Sequence, residues 1–132
     1  MSEAWDVLVI DDEAVVRDAA RLILGAEGWS VATAADAAAG LAHAALGTCR
    51  LVLCDMMLPG QSGLEVVREI RRRRPEVPIV LITGYATAEN AARAIDAGAS
   101  AFLAKPFDDT ELLNQVRPVL ERTDVAGKEG QP

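Results

Sequence analysis

The sequence predicts an α/β fold, a doubly wound parallel sheet of five strands in the order 2-1-3-4-5. Short β-branched runs alternate five times with amphipathic stretches, as expected for a parallel sheet with helices on both faces. The hydrophobic fraction of 51% suits a packed globule, and 132 residues are enough for one domain with its own core. Because crossovers between parallel strands are right-handed, few other topologies remain.

Five apolar runs are the predicted strands, at residues 6–10, 30–34, 51–54, 79–82 and 101–104. Short runs rich in Val, Ile and Leu are typical of parallel strands that are buried on both faces. The carboxyl ends of such strands lie at one edge of the sheet, where open α/β folds bind their ligands. The residues that directly follow each strand are therefore the first candidates for a functional site.

The four stretches between the strands and the stretch after the last strand predict five helices. In the first helix five apolar residues share a face, namely Val15, Ala19, Leu22, Ile23 and Ala26. The remaining helices are expected at about residues 36–46, from a capping box at Ser62 to the residue before Pro75, from Thr87 to Gly98, and from Asp108 onward. We therefore expect a helix in every crossover.

Pro118 interrupts the pattern of the last helix, because proline removes one helical hydrogen bond and crowds the carbonyl of Asn114. This predicts a kinked or frayed final turn, with an end by Arg117 as the alternative. From about Arg122 the periodicity is lost. Residues 1–121 are thus the predicted domain, and residues 122–132 a flexible tail or the start of a linker.

A formal net charge of −7 opposes binding to nucleic acids and to anionic membranes, so neither partner is expected. The basic run at residues 71–74 is interpreted as a solvated last helical turn that complements the helix dipole. Cys49 and Cys54 lack metal-site or disulfide spacing and indicate reduced, buried thiols. With no secretory signal at the N-terminus, the expected location is the cytoplasm.

Polar residues follow four of the five predicted strands. Asp11 and Asp12 follow the first strand, Asp55 the third, Thr83 the fourth and Lys105 the fifth. Three converging carboxylates repel one another unless a cation joins them, and Mg²⁺ prefers oxygen ligands. A carboxylate nucleophile, a metal, an ammonium and a hydroxyl are the groups that an aspartyl-phosphate site needs.

Four segments that carry these residues resemble the signature blocks of response-regulator receiver domains. They read Val-Ile-Asp-Asp-Glu, Cys-Asp-Met-Met-Leu-Pro-Gly-Gln-Ser-Gly, Leu-Ile-Thr-Gly-Tyr and Leu-Ala-Lys-Pro-Phe. The resemblance covers about residues 5–121 and implies the flavodoxin-like receiver fold. Residues 83–90 are also similar to receivers of nitrogen-regulator-type transcription activators.

The resemblance implies a role for each residue of the site. Asp55 would accept the phosphoryl group, and Mg²⁺ would be held by Asp11, Asp12, Asp55 and the backbone carbonyl of Met57. Thr83 and Lys105 would bind the phosphoryl group, Phe102 would be the switch aromatic, and the bond before Pro106 would be cis. Because Phe102 lacks the hydroxyl of the more usual tyrosine, we expect it to lie largely inward even without phosphate.

The implied function is signalling rather than enzymatic turnover, with the chain catalysing only its own phosphoryl transfer and autodephosphorylation. A sensor histidine kinase or a histidine phosphotransfer protein would be the donor. The surface of the fourth helix, fifth strand and fifth helix would signal to a fused or separate output domain, and a weak or phosphorylation-dependent homodimer is expected.

Two other functions fit an aspartate at this place. Hydrolases of the haloacid-dehalogenase type also form aspartyl phosphate, but they carry a second acid two residues after the nucleophile, where this chain has Met57. The other alternative is a receiver that serves as a binding module without being phosphorylated. Every position that matches the receiver family is intact, which favours a phosphorylated receiver over an unphosphorylated binding module.

Overall fold

A five-stranded parallel sheet lies at the centre of the protein, whose computed structural model describes residues 4–129. The strands are β1 (Val7–Ile10), β2 (Val31–Ala34), β3 (Leu51–Asp55), β4 (Ile79–Thr83) and β5 (Ala101–Ala104). Their order is β2-β1-β3-β4-β5, and each neighbouring pair is parallel. The predicted fold class and strand order are confirmed.

A helix occupies every crossover of the sheet, and a fifth helix follows the last strand. These helices are α1 (Ala14–Ala26), α2 (Ala37–Ala42), α3 (Gly63–Arg73), α4 (Ala88–Ala97) and α5 (Asp109–Glu129). A short antiparallel hairpin, Met57–Leu58 with Gln61–Ser62, joins β3 to α3. Among the described residues, no helix has the length and apolarity needed to cross a membrane.

The sheet separates two apolar layers, because successive side chains of a strand point to opposite faces. Leu8 and Ile10 of β1 pack with residues of α2, α3 and α4, whereas Val7 and Val9 pack with residues of α1 and α5. Helices therefore cover both faces. Cys49 and Cys54 are buried free thiols, as predicted.

The apolar face predicted for α1 differs from the face that the helix buries. Ala20 and Leu24 are buried, whereas Val15 is 79% and Leu22 is 74% exposed. Apolar residues cover much of the circumference of this helix, so the sequence pattern alone does not tell which side packs. Ala20 and Leu24 pack in the apolar layer that lies on the same face of the sheet as α5. Four other apolar residues form a stripe on the outer side of α1, namely Val15, Ala19, Leu22 and Ala26.

The single helix predicted at residues 36–46 is divided in two. The α2 helix ends at Ala42, and a 3₁₀ helix follows at Ala44–Gly47. His43 separates them with an extended backbone, and its Nδ1 accepts a hydrogen bond from the amide of Ala45 at 3.0 Å. The side-chain cap of the second segment thus competes with continuation of the first.

The basic end of α3 is not simply solvated, which corrects the interpretation of residues 71–74. Arg71 donates hydrogen bonds to the backbone carbonyls of Gly98 and Val77, at 2.7 Å each. Arg74 donates to the carbonyls of Leu46 and Cys49. These arginines satisfy carbonyl groups of loops at the amino-terminal edge of the sheet, a role that requires the folded arrangement of distant segments.

The α5 helix continues through Pro118, so the alternative of a helix that ends by Arg117 is wrong. Val116 and Leu120 are buried on either side of the proline, and burial of their side chains favours continuation. The backbone is helical to Glu129, and the last three residues of the predicted tail lie outside the described residues. The domain boundary at residue 121 stays a prediction.

Candidate functional site

The register of the sheet places the predicted site residues at one edge. Ile10 of β1 is level with Cys54 of β3, so Asp11 and Asp55 are adjacent where these strands end. Thr83 ends β4, and its backbone carbonyl accepts a hydrogen bond from the amide of Lys105 at 2.7 Å. Four strands that are distant in sequence thus deliver their terminal polar groups to the same pocket.

The ammonium group of Lys105 lies among three carboxylates. Its Nζ is 3.1 Å from Asp55 Oδ2, 3.0 Å from Asp11 Oδ2 and 2.6 Å from Glu13 Oε1. Burial alone would lower the pKa of Lys105, but the close contacts with the carboxylates of Glu13 and Asp11 and the charges of Asp11 and Asp55 outweigh it and raise the pKa. Lys105 is therefore firmly protonated.

Backbone amides hold the two buried carboxylates in place. The amide of Met57 donates to Asp55 Oδ1 at 3.1 Å, and the amide of Glu13 donates to Asp11 Oδ1 at 2.8 Å. Each carboxylate thereby keeps its second oxygen directed towards Lys105. A fixed carboxylate with one oxygen available suits a nucleophile or a metal ligand.

Burial is the main reason why the pKa of Asp55 is raised in the folded protein. The nearby Asp11 charge raises it further, and the Met57 amide and Lys105 only partly oppose these effects. Burial and the same two carboxylates also raise the pKa of the Cys54 thiol, which precedes Asp55 on β3. The pocket as a whole has more negative charge than Lys105 neutralises.

The acidic cluster fits a divalent cation. Asp11, Asp12 and Asp55 each offer an oxygen atom, and these oxygens lie within 4.8 Å of one another. Asp11 Oδ2 is buried and, among the described residues, receives no hydrogen bond, although Lys105 pairs with it by charge. A buried carboxylate oxygen without a donor is costly, and a hard cation such as Mg²⁺ would satisfy it.

Thr83 and Phe102 lie on the β4 and β5 side of the pocket. Thr83 is fully buried, and its hydroxyl oxygen accepts a hydrogen bond from the amide of Tyr85 at 3.0 Å. The hydroxyl proton remains available for a further acceptor. Phe102 is half-buried and packs against the core on the α3 and α4 side, and the peptide bond between Lys105 and Pro106 is cis.

Gly63 is a site residue that the sequence motif indicated only as part of a helix cap. A β-carbon at position 63 would lie 2.1 Å from the carbonyl oxygen of Asp55 and 2.7 Å from the Cα of Met56. The start of α3 therefore packs directly on the backbone that carries Asp55. A Gly at this place in the motif is a signal that could have been interpreted as a close backbone approach.

Glu13 was not among the predicted site residues. It occupies the N-cap position of α1, but its side chain makes no capping hydrogen bond and pairs with Lys105 instead. The partners are 92 residues apart in the chain, so no local sequence pattern indicates the contact. The structure thus adds a third carboxylate to the surroundings of Lys105.

Comparisons with known proteins agree with this arrangement. The family model of the response regulator receiver domain matches residues 7–117. The chain is 35% identical over 119 residues to the probable transcriptional regulatory protein TcrX of Mycobacterium tuberculosis, covering 90% of this chain and 51% of TcrX. It is 39% identical over 120 residues to the nitrogen assimilation regulatory protein NtrX of Azorhizobium caulinodans, covering 89% of this chain and 26% of NtrX.

Solved structures show the same fold. A CheY-like receiver domain protein from Methanospirillum hungatei superposes with a TM-score of 0.83 at 31% identity, covering 94% of this chain and 99% of that chain. NtrX from Brucella abortus superposes with a TM-score of 0.83 at 37% identity, covering 97% of this chain and 29% of that chain. The chain spans about half the length of TcrX and a smaller share of NtrX. This chain therefore belongs to the response regulator receiver domain family.

Proposed function

We propose that the chain accepts a phosphoryl group on Asp55 in a reaction that depends on Mg²⁺. The observation that carries the proposal is the position of Asp55: buried, fixed by the Met57 amide, and adjacent to both Lys105 and the acidic pair. Because receiver domains are signalling domains, the hydrolase alternative is set aside. The use of the domain as an unphosphorylated binding module is the alternative that experiment must exclude.

Asp11, Asp12, Asp55 and the backbone carbonyl of Met57 would hold the metal ion. When bound, Mg²⁺ would neutralise charge on the oxygens of the phosphoryl group that is transferred. The excess of carboxylates over cations in the pocket supports this assignment. The buried oxygen of Asp11 that receives no hydrogen bond supports it further.

Each side chain of the pocket would have a separate role in the phosphoryl transfer. A carboxylate oxygen of Asp55 attacks phosphorus and forms the new P–O bond, while the P–N bond of a phosphohistidine donor breaks and the imidazole leaves. Lys105 pairs with a phosphoryl oxygen, and the Thr83 hydroxyl donates a hydrogen bond to another. Water attack on the same phosphorus would later release phosphate, which is autodephosphorylation rather than turnover of an external substrate.

The donor would be a sensor histidine kinase or a histidine phosphotransfer protein in the cytoplasm. An apolar pocket beside Lys105 is lined by Val15, Val16, Ala19 and Phe107, and it continues into the exposed stripe of α1. Exposed apolar surface next to a reactive group marks a protein contact. We assign this stripe to the donor, which must present its histidine at Asp55.

Signal output would use the other side of the pocket. Movement of Thr83 towards the phosphoryl group would alter the packing of Phe102 and thereby the surface of α4, β5 and α5. Exposed Ile95 on α4 supports a contact on this surface. An output domain, fused or separate, would respond to the change, and a weak or phosphorylation-dependent homodimer would use the same surface.

Labelling of the chain by a small phosphodonor such as phosphoramidate tests the proposal. With Mg²⁺, the intact mass should increase by one phosphoryl group, and Asp55→Asn should abolish the increase while the circular dichroism spectrum stays unchanged. The label should be lost in mild base or hydroxylamine, as acyl phosphates are. Labelling that persists in Asp55→Asn would overturn the assignment, and absence of labelling in the parent chain would favour the binding module.

A further inference from the structure

Glu13 combines a poor helix cap with a strong contact elsewhere. Ser, Thr, Asp and Asn are the preferred N-cap residues because their short side chains reach the amides of the first turn. Glu13 occupies this position without such a bond, and its backbone is extended. Its carboxylate, 57% exposed, instead lies 2.6 Å from the Lys105 ammonium.

The other partners of Lys105 are the proposed metal ligands. Asp11 Oδ2 and Asp55 Oδ2 lie at 3.0 and 3.1 Å from Nζ, and the Lys105 side chain is only 14% exposed. An ammonium and a divalent cation that share the same two oxygens would repel each other. Lys105 must therefore withdraw from at least one of these oxygens before the pair can bind a metal ion.

We propose that Glu13 is a positioning residue that retains Lys105 at the rim of the pocket when Asp11 and Asp55 bind Mg²⁺. The inference rests on the proposed function, because it assumes that those carboxylates are metal ligands. Glu13 is suited to the task, since its oxygens lie outside the cluster formed by Asp11, Asp12 and Asp55. Lys105 thereby stays charge-paired, and it remains within reach of a phosphoryl group on Asp55.

Two effects of Glu13 then favour metal binding in the same direction. Its negative charge attracts the cation, and its contact with Lys105 frees the oxygens of Asp11 and Asp55. The substitutions Glu13→Gln and Glu13→Asp separate these effects. Glutamine removes the charge but keeps the length of the side chain. Aspartate keeps the charge but is one methylene shorter, so from the same backbone position its carboxylate cannot make the 2.6 Å contact with the Lys105 ammonium.

Calorimetric titration with MgCl₂, without any phosphodonor, tests the inference on the whole chain. Both Glu13 variants should bind Mg²⁺ about three- to tenfold more weakly than the parent chain. Asp18→Asn removes an exposed charge further along α1 and should leave the dissociation constant unchanged.

The outcomes distinguish the inference from the function on which it rests. Weakening in Glu13→Gln with parent-like binding in Glu13→Asp would mean that Glu13 acts through its charge alone, which would overturn the positioning role. Parent-like binding in both variants would also overturn it and would leave the metal assignment intact. A parent chain that binds no Mg²⁺ would overturn the metal assignment and the positioning role together.

Discussion

Gly63 packs against the backbone of Asp55 so closely that a β-carbon there would lie 2.1 Å from the Asp55 carbonyl oxygen. The β-carbon would clash with backbone atoms of Asp55 and Met56, which cannot rotate away as a flexible side chain could. Substitution must therefore shift either the start of α3 or the end of β3, and β3 carries Asp55, the proposed phosphoacceptor.

We expect Gly63→Ala to lower the free energy of unfolding by about 1–3 kcal/mol, the usual cost of overpacking. The rate of phosphodonor labelling should fall as well, because Asp55 moves relative to Lys105. Urea denaturation and intact-mass kinetics measure the two effects.

Gly25→Ala provides the matched control for Gly63→Ala. Gly25 lies in α1 with no atom within 4 Å of its would-be β-carbon, so alanine should raise stability by about 0.4–1 kcal/mol. Labelling kinetics should be unchanged in this control. Equal stabilisation by alanine at both positions would contradict the close packing at Gly63.

Asp55→Asn should stabilise the metal-free protein at neutral pH. Burial and the Asp11 charge raise the pKa of Asp55, so the folded state disfavours its ionised form. For a carboxyl whose folded pKa is raised, stability falls as the pH rises from the unfolded pKa through the folded pKa. Removing the charge should therefore increase the free energy of unfolding of the metal-free protein.

The stabilisation by Asp55→Asn should depend on pH in a defined direction. It should be larger at about pH 8 than at about pH 5, because protonation of the parent carboxyl on the acidic side removes the same cost. Thermal melts in the presence of a chelator measure the difference. An advantage that grows as the pH falls would contradict the raised pKa.

The strands and the acidic pocket could be predicted because both depend on local sequence and on a general property of parallel sheets. Continuous apolar runs mark strands that are buried on both faces, and the residue after each run lies at the ligand-binding edge. Asp55, Thr83 and Lys105 were found in this way. We could predict that these three residues converge without knowing any individual distance between them.

Features that depend on the fit between distant segments could not be predicted. The pairing of Glu13 with Lys105 bridges 92 positions of the chain, and the packing face of α1 is selected by its neighbours in the folded protein. The break at His43 likewise results from a side-chain cap that competes with the helix. Periodicity describes which residues are apolar, but it does not decide which of two apolar faces is buried.

Mg²⁺ should stabilise the folded chain, because the proposed metal site exists only in the native protein and not in the unfolded chain. At a hundredfold excess over the dissociation constant, the gain is about 2.7 kcal/mol. Asp12→Ala should remove most of this gain, and it should raise the stability of the metal-free protein by reducing repulsion with Asp11 and Asp55.

Thermal melts with MgCl₂ or a chelator measure the effect of Mg²⁺. Asp18→Ala is the control for loss of an exposed acid on the neighbouring helix and should retain the full gain. A melting temperature of the parent chain that does not respond to millimolar Mg²⁺ would contradict the metal site.

Leu22→Ser should weaken phosphotransfer from a histidine-phosphorylated kinase fragment by about three- to tenfold. Leu22 is 74% exposed in the α1 stripe, so the substitution should change stability by no more than about 0.5 kcal/mol. Labelling by phosphoramidate should be unaffected, because a small donor needs no protein contact.

Ile95→Ser is the matched control for Leu22→Ser, with an apolar residue 56% exposed on α4. Transfer from the kinase fragment should stay at the parent rate in this variant. If Ile95→Ser impaired transfer as much as Leu22→Ser, the donor contact would not be specific to α1.

Pro118→Ala should stabilise the protein and increase its helicity. Pro118 is exposed and lies inside α5, where it leaves the Asn114 carbonyl without its helical donor while Val116 and Leu120 stay buried. Alanine restores that hydrogen bond without disturbing the buried face, so the free energy of unfolding should rise by up to about 3 kcal/mol. Urea denaturation and far-ultraviolet circular dichroism measure the two changes. Val119→Ala, beside the proline, is the control and should lower stability, because it removes partly buried apolar surface. A neutral Pro118→Ala would mean that the helix already accommodates the proline by a local bend, which was the kink expected from the sequence.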